Sequence, residues 1–139
     1  MSFFVLDTDT VSLYERGQPL VVSRVENCPA LLLAITVITA EEQLAGRFAA
    51  LRKAKTSEET AQAYRLFAQT ARFLGSIRIL DFDENAIKQF QSLQVAKLNI
   101  GSYDLRIAAI VLEAGATLVT RNARDFGRVP GLTFVNWAD

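Results

Sequence analysis

Histidine is absent from this 139-residue sequence. Its absence excludes histidine-dependent serine and cysteine triads, histidine-ligated zinc and imidazole acid–base catalysis. Cysteine occurs once, at Cys28, so no intramolecular disulfide and no multi-cysteine zinc site can form, which suits a reducing compartment. Net charge is lacking as well. Fifteen Lys and Arg balance fifteen Asp and Glu, so no bulk charge marks nucleic acid or membrane as a partner, although a local basic strip would suffice for binding. No run of about eighteen apolar residues is present to span a bilayer, and no charged-then-apolar signal segment opens the sequence. The expectation is a soluble, cytoplasmic protein without a membrane partner. Repeats, low-complexity tracts and linker-like stretches are missing too, so residues 1–139 are expected to form a single domain. Catalysis, if any, must rest on carboxylates, amides, hydroxyls, lysines or arginines.

Half of the residues are apolar, and they fall into short runs separated by helical patterns. Phe3 to Leu6 reads as a central strand, followed by helical segments over 11–17 and 20–27. Ala30 to Ile38 (ALLLAITVI) reads as a second buried strand. Thr39 with Glu42 has the form of a capping box opening a helix over 40–54. That helix gathers Arg47, Arg52, Lys53 and Lys55 towards its C-terminal end, where they complement its dipole or meet phosphates. Ser57-x-x-Thr60 opens a helix to Leu74, Ile77 to Leu80 forms a third strand, and Asp83 caps a helix over 84–97. Ser102 is the expected N-cap of an apolar, buried helix that ends at Gly115. Strands at Thr117 to Thr120 and Thr133 to Val135 complete an α/β fold: a parallel sheet between helices in three layers.

This order brings acids together. Asp7 lies at a strand exit, Glu42 and Asp104 lie at helix starts, and Asn122 and Asp125 follow a later strand. Each has an ordinary explanation as a cap or turn residue, but right-handed crossovers place all of them along one edge of the sheet, where open α/β sheets bind ligands. Clustered carboxylates repel, and some hold protons unless a cation joins them. Mg²⁺ and Mn²⁺ favour oxygen ligands, and a bound ion acidifies water and neutralises phosphate charge. Phosphodiester hydrolysis is the foremost chemistry for such a histidine-free site.

The blocks FVLDTDTVS, TVITAEEQLAG, IGSYDLRIAA and LVTRNARDFGRVPGL, in that order, resemble a PIN domain, and most nearly the VapC-type ribonuclease toxins of bacterial toxin–antitoxin pairs. The resemblance covers essentially the whole sequence. It implies a Mg²⁺- or Mn²⁺-dependent endoribonuclease, usually a homodimer, acting on RNA and inhibited by an antitoxin that inserts a peptide near the site. It matches Asp7 and Asp104 to the principal metal ligands and Glu42 to the acid of the second block. The fourth acidic position carries Asn122, an amide that ligates without charge, and Asp125 is the residue placed to compensate. Asp9 stands where many relatives have Asn, and either adds charge to the site or caps a helix. A haloacid dehalogenase-like phosphatase, with Asp7 as nucleophile and Asp9 as acid, is the alternative enzyme class, although its paired Asp-Asp is absent. A PIN-like module that binds RNA or protein without cutting is the non-catalytic alternative, favoured only by Asn122.

Helix 57–74 carries two apolar stripes. One holds Thr60, Tyr64, Phe67, Ala71 and Leu74; the other holds Ala63, Leu66, Thr70 and Phe73. Docking on a sheet needs one, so the second is expected to meet a twin subunit or an antitoxin segment. Leu66 and Phe73 are the expected contact residues.

Overall fold

The computed structural model describes residues 3–139. Strands β1 (Phe4–Leu6), β2 (Leu33–Thr36), β3 (Arg78–Leu80), β4 (Thr117–Val119) and β5 (Thr133–Val135) pair in the order β3-β2-β1-β4-β5, every pair parallel. Helices α1 (Thr8–Glu15), α2 (Pro19–Glu26), α3 (Val37–Lys53), α4 (Ser57–Ser76), α5 (Glu84–Val95), α6 (Ser102–Ala114) and α7 (Ala123–Phe126) connect them. Strand alternation splits the core in two. Val5, Ala34 and Leu118 face α5 and α6, whereas Leu6, Ile35 and Val119 face α1, α2 and the end of α4. The expected three-layer α/β/α arrangement is therefore present.

The strand order reverses beside β1. The chain runs outward through β2 and β3, then returns to place β4 on the other side of β1. The crevice between the carboxyl ends of β1 and β4 is a topological switch point, and both strands are buried there at Leu6 and Val119. Asp7 follows β1 directly, and its backbone N–H donates to the Val119 carbonyl at 3.0 Å. Helix α6 is buried along Leu105 and Ile107 to Val111. It ends at Gly115, whose φ of 66° is the left-handed conformation that glycine adopts without steric cost.

Four local expectations are corrected. The apolar run 30–38 is only partly strand. Pro29 starts a 3-10 turn at Ala30–Leu32, and the short partner β1 supports pairing only from Leu33. Val37 and Ile38 already belong to α3, because Thr36 rather than Thr39 is its N-cap and accepts from the Thr39 N–H at 3.1 Å. Apolar periodicity does not distinguish a buried strand from a buried helix start. Glu42 consequently makes no capping box. The capping box that exists joins Thr56 and Glu59 at the start of α4. The N-cap of α6 is Gly101, whose carbonyl accepts the first helical bond from Leu105, and Ser102 is the first helical residue.

Of the basic residues near the end of α3, Arg47 turns inward. Its Nε donates to Thr70 Oγ1 at 2.9 Å, and its guanidinium pairs with Glu15 at 3.8 Å, joining α3 to α4 and α1. The two stripes of α4 also separate. Ala63 and Thr70 are buried, and Phe73 packs against Tyr14 with ring centroids 6.0 Å apart. That stripe, with the partly covered Leu66, is the inward one, contrary to the expectation that Leu66 and Phe73 meet a partner. The outward stripe carries Tyr64, 60% exposed, with the Phe67 ring tilted at 5.3 Å against Phe48 of α3.

Candidate active site

Four segments supply acids to the crevice. Asp7 is both buried and an N-cap: its Oδ1 accepts from the Thr10 N–H at 2.8 Å. The capping explanation and the site explanation thus hold together for one residue. Burial pushes the Asp7 carboxyl above its ordinary value, the hydrogen bonds from Thr120 and Thr10 oppose that, and neighbouring Asp9 adds to it.

Asp104, in the first turn of α6, is raised to about 6. Burial is the largest cause, followed by the negative charges of Asp7, Glu42, Asp125 and Asp9. The structure therefore brings together the acids singled out in the sequence within electrostatic range of one carboxyl. Parallel strands explain this. Connecting helices run back against the strands, so their N-termini collect at the carboxyl edge of the sheet.

Glu42 lies in the second turn of α3. Thr8 Oγ1 donates to its Oε1 at 2.6 Å and also lies 3.0 Å from Thr39 Oγ1. After β4, the Asn122 side-chain oxygen accepts from the Asp125 N–H at 3.2 Å, and its amide nitrogen donates to Asp125 Oδ2 at 3.0 Å. Both ends of the Asn122 amide are thus occupied by Asp125, the residue whose charge acts on Asp104. Arg128 pairs with the other Asp125 oxygen at 3.3 Å.

Asp9 is not a free acid. Arg121 grips it through two bonds, Nε to Oδ2 at 2.8 Å and a terminal nitrogen to Oδ1 at 2.9 Å. This charge-assisted bidentate pair ties Asp9 to Arg121 instead of leaving it unpaired in the crevice. Thr8, Thr120 and Arg121 were not distinguished in the sequence. Thr8 and Arg121 lie next to residues that were and Thr120 lies two before Asn122, but hydroxyls and surface arginines carry no local pattern that announces a tertiary partner.

The donor set suits a hard divalent cation. It consists of carboxylates, two of which, Asp7 and Asp104, are held above their ordinary pKa by burial and neighbouring negative charge, without histidine or thiolate competitors. Among the described residues, no three acids stand close enough to hold one ion by themselves. Water would therefore complete the shell, as Mg²⁺ prefers. Beside Glu42 and Asp104 opens a cleft of about 450 Å³, also lined by Tyr103 and Arg106.

Histidine-free acids at the switch point of a parallel α/β domain suit hydrolytic phosphoryl chemistry. The PIN domain family model matches residues 5–132; the chain belongs to that family. It is 25% identical over 138 residues to the tRNA(fMet)-specific endonuclease VapC of Salmonella typhimurium, covering 96% of this chain and 97% of that protein. It is 29% identical over 139 residues to ribonuclease VapC2 of Haemophilus influenzae, again covering 96% and 97%. The fold matches the crystal structure of DNA-bound VapBC from Salmonella typhimurium with a TM-score of 0.80, at 26% identity and 99% coverage of both chains.

Proposed function

We propose that this protein is a VapC-type endoribonuclease, the toxin of a toxin–antitoxin pair, and that it hydrolyses RNA phosphodiester bonds at a Mg²⁺- or Mn²⁺-dependent carboxylate site. The observation that carries the reading is Asp104, whose carboxyl is raised to about 6 by burial and by four converging acids. Such a cluster is strained when empty of cations and matched when one is present. Asp7, Glu42 and Asp104 are the residues to hold the ion, in part through bound water because, among the described residues, no three acids are close enough to ligate it directly, with Asp125 as the fourth acid. A divalent ion bound there neutralises phosphate charge and lowers the pKa of water. The protein's own part is positional. Thr8 fixes Glu42, Thr120 and the Thr10 N–H fix Asp7, and Asn122 fixes Asp125. The single cysteine and the absence, among the described residues, of any helix long and apolar enough to cross a membrane agree with action on cytoplasmic RNA. Incubating total RNA with the purified protein, and sequencing the ends produced, tests the reading. Cleavage is expected with Mg²⁺ or Mn²⁺ and none with EDTA; equal cleavage in EDTA would remove the carboxylate–metal reading.

The fourth site residue is separable by substitution. Asp125→Asn is expected to lower cleavage strongly with the fold intact. Asn122→Ala is expected to cost about 1 kcal/mol of stability through the lost cap, with a smaller loss of activity. If, at equal folding, Asn122→Ala were the more damaging to cleavage, the amide rather than Asp125 would be the ligand.

The partner surface follows from the outward stripe of α4. The exposed Tyr64 and Phe48, with the half-buried Phe67 against Phe48, form an aromatic patch across α3 and α4, of the kind that marks an interface. The protein alone is expected to be a homodimer, and an antitoxin segment is its second occupant. Tyr64→Glu should weaken self-association at micromolar concentration by sedimentation while leaving circular dichroism unchanged. A wild-type monomer would sink the dimer.

A further inference from the structure

We propose that Tyr103, backed by Arg106, is a nucleobase subsite that stacks one unpaired RNA base beside the reacting phosphate; the inference rests on the ribonuclease reading above. Tyr103 immediately precedes Asp104 in the first turn of α6, and both line the cleft that Glu42 and Arg106 complete. The Arg106 guanidinium carbon lies 5.2 Å from the Phe90 ring centroid and 5.4 Å from that of Tyr103. Phe90 is buried. The three side chains thus make a layered stack of ring, guanidinium and ring that starts in the core and ends at Tyr103. Cation–π attraction fixes this order.

Arg106 lies over the Tyr103 ring. The residue is nonetheless 42% exposed, so the stack ends on an aromatic surface open to the cleft. The ring is held in orientation as well. Its hydroxyl donates to Glu41 Oε2 at 3.3 Å, so part of the ordering that binding would require is already present. A flat, pre-oriented ring next to phosphate-directed acids fits an extruded base, since aromatic side chains stack unpaired bases and tolerate any sequence because each base has a π-face. Arg106 adds a positive charge close to the sugar–phosphate chain of the same nucleotide. The chemistry selects single-stranded over duplex RNA, because paired bases offer no free face.

The test uses an RNA oligonucleotide that the wild type cuts at one mapped bond, with binding read by fluorescence anisotropy in EDTA, where cleavage is arrested. Tyr103→Leu is expected to weaken binding roughly tenfold, the loss that one base–aromatic stack represents, while Tyr103→Phe, which keeps the ring but loses the Glu41 hydrogen bond, is expected to lose much less. Removing bases one position at a time should reveal one site beside the mapped bond where an abasic nucleotide weakens wild-type binding to the same degree. In Tyr103→Leu that same abasic nucleotide should cost nothing further. If the wild type cuts RNA and folded Tyr103→Leu binds as tightly as the wild type, or if the abasic penalties are equal in both, the base subsite is overturned while the nuclease stands. A wild type that neither binds nor cuts single-stranded RNA overturns both.

Discussion

Asp104→Asn is expected to reduce RNA cleavage on the order of 10³-fold, as removal of a charge-stabilising group from a preorganised site does, and at the same time to stabilise the metal-free protein above pH 6. The two effects have one cause. In the folded chain the Asp104 carboxyl is raised to about 6 from an ordinary 3.8 by burial and by Asp7, Glu42, Asp125 and Asp9. Between those values the folded state keeps a proton that the unfolded chain has released, so stability falls as pH rises through that window. The shift bounds the cost at about 3 kcal/mol, and solvent reaching the half-buried carboxyl reduces it to about 1–2 kcal/mol. Asparagine preserves the shape and carries no charge, so it escapes this cost. Urea melts in EDTA at pH 4.5, 6 and 7.5 should show a flatter pH profile for the variant than for the wild type, while a cleavage assay shows near-complete loss. Near-wild-type cleavage, or identical pH profiles, would refute the assignment of Asp104.

Divalent metal is expected to reverse that instability, and to do so more strongly at higher pH. An ion that binds only the folded state stabilises it by about 2.7 kcal/mol at a hundred times its dissociation constant. Ligation needs ionised carboxylates, so at pH 5, where Asp104 is mostly protonated, the gain should shrink. At pH 7.5 it should be full. Millimolar Mn²⁺ is expected to raise the melting temperature at pH 7.5, to raise it less at pH 5, and to have little effect on Asp104→Asn at either pH. Melting temperatures unchanged by Mn²⁺, together with silent calorimetry, would remove the metal site. A shift equal at both pH values would place the ion away from Asp104.

Legibility in the sequence followed the range of the interactions involved. Gly115 was readable as a helix end because the left-handed conformation is a property of one residue and its two dihedrals. Asp83 was readable as a cap for the same reason, its side chain reaching only three residues ahead to the Ala86 N–H. The strand at Thr133–Val135 was bounded by its own turn and β-branched residues. The caps at Thr36 and Gly101 were misplaced because Thr39 and Ser102 are equally good cap residues in isolation. What excluded Thr39 was the strand, which ends at Thr36, its last residue paired with β3.

By itself, then, the sequence determined the α/β class and the strand and helix alternation, and it singled out Asp7, Glu42, Asp104, Asn122 and Asp125 as candidates along one edge of the sheet. These follow from apolar periodicity, turn chemistry and the right-handed crossover, which are local or nearly so. Only the tertiary structure decided how those acids are held and which charges are already taken. Thr8 reaches Glu42 across 34 residues, and Arg121 reaches Asp9 across 112. It also decided that Phe73 faces inward while Tyr64 faces out, although both stripes of α4 are apolar. Side-chain partners this far apart in sequence meet only because the sheet order sets β1 between β2 and β4, and no window of the sequence carries that adjacency.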